Sequence, residues 1–268
     1  VLSVNVNAQA TYTIGTGTTT TYLLPQYSCY GYNYTQSIYP ASLFTAQGMT
    51  SGMVIGSIRW YVGTATATAN NSNNWTVYLG NTAKTSFTST TNWETAANIT
   101  QVFSGTVTGL TTTGWMTVTL TNPFTWTGGN LLVAVDENNA SYDCTQYFRY
   151  TAGASNSSIY YYNDVTNPNP STPPTATGRN TYLPNLQLVT LPQCTGTPNV
   201  AAISATGGNN ACAGLTKVLT SSNVTAGAGI SLQWTVSTTS GGPYTNVTGG
   251  SGATSGTYTT GALTAGTY

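Results

Sequence analysis

In the stretch Trp115-Met116-Thr117-Val118-Thr119-Leu120, Met116, Val118 and Leu120 fall on one side and Trp115, Thr117 and Thr119 on the other. A period of two is the signature of a β-strand that buries one face. Comparable runs recur: MVIGSIRWYVG, NNWTVYLGN, TQVFSGTVTG, NLLVAVDEN, TQYFRYTA, SIYYYND and LPNLQLVTL. They are rich in Val, Ile, Thr, Tyr and Trp and are punctuated by Gly, Asn and Pro, whereas helical periodicity is nearly missing. Eight or more strands of this kind predict an all-β protein built on a jelly-roll-like β-sandwich.

A chain of 268 residues has room for one large or two modest domains. The Pro-rich TNPNPSTPP (166–174) reads as a long loop inside the first domain, because YLPNLQLV after it adds another core-like strand. The boundary falls near LPQCTGTP (191–198), where composition shifts to small residues. Beyond it, TKVLTS, ISLQWTVS and TYTTGAL read as short strands joined by Gly-rich turns. Cys212 precedes a strand that carries Trp234, the order found in immunoglobulin-like sandwiches, and Tyr268 takes the place of a tyrosine corner. In that fold a second core cysteine follows the corner by two residues, so the second domain is expected to be an immunoglobulin-like sandwich lacking its last strands. The expected division is 1–10, 11–192 and 193–268.

The first ten residues, VLSVNVNAQA, admit two readings. One is a signal-peptide remnant ending in the small-residue pattern Asn7-Ala8-Gln9-Ala10. The other is a strand with Leu2, Val4, Val6 and Ala8 on one face, of the right length to be exchanged onto the open edge of another copy.

Charge narrows the partners. Asp, Glu, Lys and Arg make up 4% of the chain, with net charge zero, against about 25% in an ordinary soluble domain. There is no basic field for nucleic acid, and no apolar run approaches the roughly 20 residues that span a bilayer as a helix. Cys29, Cys144, Cys194 and Cys212 are too scattered for a zinc cage. Disulfides in an oxidising, extracellular compartment are the better expectation. Cys29 and Cys144 are the only pair in the first domain, and their bridge would contribute about 3–4 kcal/mol. Cys194 and Cys212 are left with open pairing.

Several stretches resemble a known group. IGTGT, YNYTQSIYPASLF, NNWTVYLGNTAKTSF and SIYYYNDVTNPNPSTPPTATGRNTYLPNLQL resemble a β-sandwich module of large secreted and surface proteins exported by type IX secretion. CTGTPNVAAISATGGNNACAGLTKVL and ISLQWTVSTTSGGPYTNV are similar to the immunoglobulin-like repeats that often follow it. The resemblance implies a secreted or cell-surface setting, as in large adhesin-like proteins, with further repeats and a sorting domain, although such modules occur beside adhesins, proteases and glycan-processing enzymes alike.

The inventory for catalysis is thin. With no His there is no imidazole base or ligand. The carboxylates are Glu94, Asp136, Glu137, Asp143 and Asp164, and no spacing selects a glycosidase pair among them. DENNASYD gathers Asp136, Glu137 and Asp143 near a strand end, a weak calcium candidate against the simpler reading of a polar turn. In SIYYYND, Tyr160 and Tyr162 share one strand face, and with Asn163 they are the candidate glycan contacts. The alternative role for these rings is core or subunit interface. The sequence thus predicts a non-catalytic extracellular adhesin or fibre subunit, without a cofactor, whose partners are surface glycans or other copies of itself. A carbohydrate-binding module of a larger secreted enzyme is the alternative.

Overall fold

The structure is a computed structural model that describes residues 5–6, 9–67, 72–142, 144–192, 194–195, 202–222, 233–239 and 242–264, with backbone alone for 5–6 and 194–195. The chain divides into two compact units, Gln9–Leu191 and Val1–Ala8 together with Pro192–Tyr268.

In chain order the first strands are β1 (Asn5–Val6), β2 (Thr11–Ile14), β3 (Thr20–Thr21), β4 (Tyr32–Tyr39), β5 (Val54–Thr64), β6 (Asn74–Thr82) and β7 (Thr100–Thr106). Next come β8 (Gly114–Thr125), β9 (Asn130–Glu137), β10 (Tyr147–Ala152), β11 (Ser158–Asn163), β12 (Gly178–Asn180), β13 (Tyr182–Pro184) and β14 (Leu186–Thr190). The remainder are β15 (Cys194–Thr195), β16 (Ile203–Ala205), β17 (Val218–Ser221), β18 (Thr235–Val236), β19 (Thr245–Asn246) and β20 (Thr257–Thr259). One short helix, α1 (Ala41–Thr45), caps an end of the larger unit's core with Phe44.

The larger unit is a sandwich of two antiparallel sheets, as the alternation predicts. Sheet I runs β13-β10-β5-β14-β2, with β3 added to β10 and β8 to β5. Sheet II runs β12-β11-β4-β9-β6-β7. The central strand β9 is apolar from Leu131 to Val135 because both of its sides are covered. Leu131, Val133 and Val135 enter the core between the sheets, while Leu132 and Ala134 join a second cluster on the other side of sheet II. That cluster includes Phe87, Trp93 and Ala176, supplied by the loops over the sheet. On β8, by contrast, Met116, Val118 and Leu120 are buried while Thr117 and Thr119 between them remain exposed.

Large rings fill the space between the sheets. Trp60 and Trp75 meet edge to face at 5.6 Å, and Phe148 lies 6.2 Å from Trp75. Trp75 Nε1 donates to the Ser72 carbonyl at 2.7 Å, which satisfies its buried N–H. The β2–β3 loop is pinned at Gly17. Its N–H donates to Thr151 Oγ1 and its carbonyl accepts from Asn185 Nδ2. A Cβ on Gly17 would stand 1.9 Å from the Tyr150 carbonyl oxygen, so close backbone approach requires glycine there. The Pro-rich loop belongs to this unit, and the Pro174 carbonyl accepts from Trp93 Nε1 at 2.8 Å.

The second unit is also β-structure, in shorter pieces. β16, β17 and β20 form one sheet, β18 and β19 a hairpin-like pair, and β1 and β15 another pair. Tyr258 is its buried ring. It stacks on Trp234 at 5.9 Å, and its hydroxyl donates to the Gly249 carbonyl at 2.8 Å. The expected corner residue, Tyr268, lies outside the described residues, as do Leu2, Val4 and Ala8. Asn5 and Val6 pair with Thr195 and Cys194 of the same chain, so this backbone pairing is intramolecular. Cys212 is exposed and unpaired in a disulfide.

Candidate functional site

The strand register places Tyr160 opposite Thr35 and Tyr162 opposite Asn33, on the β4 side that also carries Ser37 and Tyr39. Tyr161 faces the other way, opposite Tyr34, and packs in the second cluster. The Tyr160 and Tyr162 rings lie 6.3 Å apart with planes 7° from parallel. Tyr162 continues into Tyr27 at 4.4 Å and Tyr30 at 4.2 Å. Tyr27 then meets Tyr22 at 5.2 Å, and Tyr22 meets Tyr147 edge to face at 5.7 Å. The outcome is a six-tyrosine flank where the sheets part near β10 and β11.

Most of these rings are half-buried, Tyr22 is 39% exposed, and Tyr27 is the enclosed one. Among the described residues none of the six hydroxyls makes a hydrogen bond. Burial first, and neighbouring tyrosines second, push the Tyr27, Tyr160 and Tyr162 hydroxyls above the ordinary tyrosine range. They therefore stay protonated at neutral pH and keep their donors.

The segment carrying Tyr22, Tyr27 and Tyr30 has no strand of its own to hold it, and covalent and polar ties do so instead. Cys29 and Cys144 form a disulfide across 115 residues. Beside it, Cys144 N donates to the Ser28 carbonyl at 2.9 Å, and Ser28 Oγ donates to the Gln146 carbonyl at 2.7 Å. Gln26 Nε2 donates to Gln146 Oε1 at 2.7 Å, both side chains being fully buried. Gly31 N donates to Asp164 Oδ1 at 3.1 Å, fixing the segment to the end of β11.

Asn163 does not join the flank. By strand alternation it faces away from Tyr160 and Tyr162. Its Oδ1 accepts from the N–H groups of Val165 and Thr166 at 2.7 and 2.8 Å, closing an Asx-type turn. The structure therefore does not bring Asn163 together with the Tyr160 and Tyr162 rings. Tyr22 and Tyr147 enter the site without having stood out in the sequence. The signal that points to them is the cysteine pair, which brings the chain near residue 27 against the chain near residue 147.

The acidic run is also rearranged. Asp136 and Glu137 lie within β9 and not in a loop. Consecutive strand positions face opposite ways. Asp136 is opposite Tyr34 and Thr76, and Glu137 is opposite Asn33 and Trp75. The two carboxyls diverge and cannot grip one ion together. Asp143 lies outside the described residues, and no three metal-ligating side chains converge among the described ones. Burial drives both carboxyls up, Asp136 to about 7 and Glu137 to about 9. Among the described residues Asp136 Oδ1 and Glu137 Oε2 have no hydrogen-bond partner. Burial also lifts the Tyr78 hydroxyl, with the Asp136 charge adding to it, up to about 12.

Glu94 behaves oppositely. Burial works against its charge, but donors from Thr82, Asn98 and the Thr95 N–H, with Lys84 close by, hold it below the ordinary carboxylate range. Its anchor Thr82 and Thr76, the partner of Asp136, are six residues apart on β6, roughly 20 Å of strand. Paired glycosidase carboxyls stand only about 5–10 Å apart.

No protein-family profile matches this chain, and no curated protein matches it at a significant level.

Proposed function

We propose that this protein is a non-catalytic extracellular adhesion module that holds surface glycan on its tyrosine flank. The observation that carries the reading is the continuous row Tyr160, Tyr162, Tyr27 and Tyr22, in which Tyr27 is enclosed, the other three rings are partly exposed and no hydroxyl is hydrogen-bonded to a described residue. Aromatic faces stack on pyranose rings, and tyrosine hydroxyls bond to sugar hydroxyls without any charge. The Cys29–Cys144 bridge supports an oxidising, extracellular setting. A secreted surface protein of the type IX class accords with it. The separation of Glu94 from Asp136 and the divergence of Asp136 from Glu137 favour holding over hydrolysis.

A second reading, a subunit of an extracellular fibre, draws on the near-absence of charge and on exposed Ile203, Leu215 and Tyr244 in the smaller unit. Retention of the full chain on immobilised neutral polysaccharides, compared with its Tyr160→Ala/Tyr162→Ala variant, separates the two. Loss of retention in the variant supports glycan holding. Concentration-dependent growth of the wild type in sedimentation, with no retention on any glycan, supports the fibre.

A further inference from the structure

The outward side of sheet I carries two arginines, Arg59 on β5 and Arg149 on β10. Arg59 on β5 pairs in register with Gln187 on β14, which pairs in turn with Thr13 on β2. All three project away from the core, since their neighbours Trp60, Leu188 and Ile14 point into it. Arg59 Nη1 reaches Gln187 Oε1 at only 3.4 Å, and Gln187 Nε2 donates to Thr13 Oγ1 at 3.1 Å. Arg59 Nε is enclosed and has no hydrogen-bond partner among the described residues.

Two positions along β5, roughly 7 Å away, Tyr61 is paired with Trp115 of β8. Their rings meet edge to face at 5.2 Å. The Arg149 guanidinium lies 4.1 Å from the Tyr61 ring centroid. Two of the five basic residues in the chain therefore share this face. Glu94, Asp136, Glu137 and Asp164 all lie in sheet II or the loops bound to it. Neither arginine forms an ion pair among the described residues.

We propose that this face is a second binding surface, for an acidic polysaccharide with carboxylate-bearing sugar rings. A guanidinium cannot shed its proton, so Arg59 keeps a charge that the protein leaves poorly paired, and a carboxylate answers it with charge-assisted hydrogen bonds. The Trp115–Tyr61 pair beside it offers an apolar platform for the ring that bears the carboxylate. Two charges are too few for the many phosphate contacts that retain nucleic acid. The surface is separate from the Tyr160–Tyr162 row and does not depend on it.

The test is affinity electrophoresis of the full chain through gels containing polygalacturonate, neutral dextran or single-stranded DNA. The expected result is retardation by polygalacturonate that drops about ten-fold in Arg59→Gln/Arg149→Gln and in about 0.5 M salt. Trp115→Ala should weaken it as well, while Tyr160→Ala/Tyr162→Ala leaves it intact. Unchanged far-UV circular dichroism shows that each variant is folded, and single Arg149→Gln serves if the double variant is not. No retardation by polygalacturonate overturns the proposal. So does retardation that ignores the arginines, or retardation by DNA of equal strength.

Discussion

Tyr160 and Tyr162 stand 6.3 Å apart on one face of β11 with ring planes 7° from parallel. That spacing follows from the strand itself, because alternate residues on one side are separated by about 6.6 Å. It gives two nearly parallel rings, one strand repeat apart, against which successive units of an extended chain can rest. Replacing both with Ala should weaken retention on the recognised neutral glycan about ten-fold or more, given ~1–1.5 kcal/mol for each ring contact. Isothermal titration with the glycan selected on the panel checks this.

Asn163→Ala discriminates the flank from its neighbourhood. The side chain closes a turn and does not face the rings, so the substitution should cost about 0.5–1.5 kcal/mol of stability. Glycan affinity should be unchanged. Urea denaturation and the same titration read the two effects separately.

Breaking the Cys29–Cys144 bridge should act on both. Cross-linking a loop this long contributes about 3–5 kcal/mol in the chain-entropy account. Cys29→Ala/Cys144→Ala should lower the denaturation midpoint accordingly and weaken glycan retention, because Tyr27 and Tyr30 lose their tether. Reduction of the wild type should reproduce the result.

Stability should fall as pH rises through neutrality. An acid whose folded pKa is raised keeps a proton that the unfolded chain has released above about pH 4. For Asp136 the loss runs from about 4 to about 7, and for Glu137 from about 4 to about 9. Both carboxyls contribute to the fall up to about pH 7, and Glu137 alone above it. Denaturation midpoints measured across that range should decline, and Asp136→Asn with Glu137→Gln should flatten the decline.

Trp75→Ala should destabilise the larger unit by about 3–5 kcal/mol, since the ring is fully buried between Trp60 and Phe148 and leaves a cavity. Chemical denaturation followed by far-UV circular dichroism measures it.

The sandwich was legible because strand alternation is a local property. Met116, Val118 and Leu120 announce their side of β8 without reference to any other strand. The shared face of Tyr160 and Tyr162 was legible for the same reason. Asp136 and Glu137 misled, because a polar run after apolar residues looks like the exit from a strand. Here β4 and β6 pair with β9 through to Glu137, and tertiary pairing overrides the local pattern. The full tyrosine flank was hidden because Tyr22, Tyr27 and Tyr147 meet across more than a hundred residues. Only the disulfide bridges that distance in sequence.

The most direct single measurement pairs binding with turnover: the full chain is incubated with the retained neutral polysaccharide while bound protein and newly released reducing ends are followed together. The expectation is saturable retention that Tyr160→Ala/Tyr162→Ala removes, with no reducing ends released by either protein. Release of reducing ends by the wild type, or retention that survives loss of both tyrosines, would contradict a module that holds sugar without cutting it.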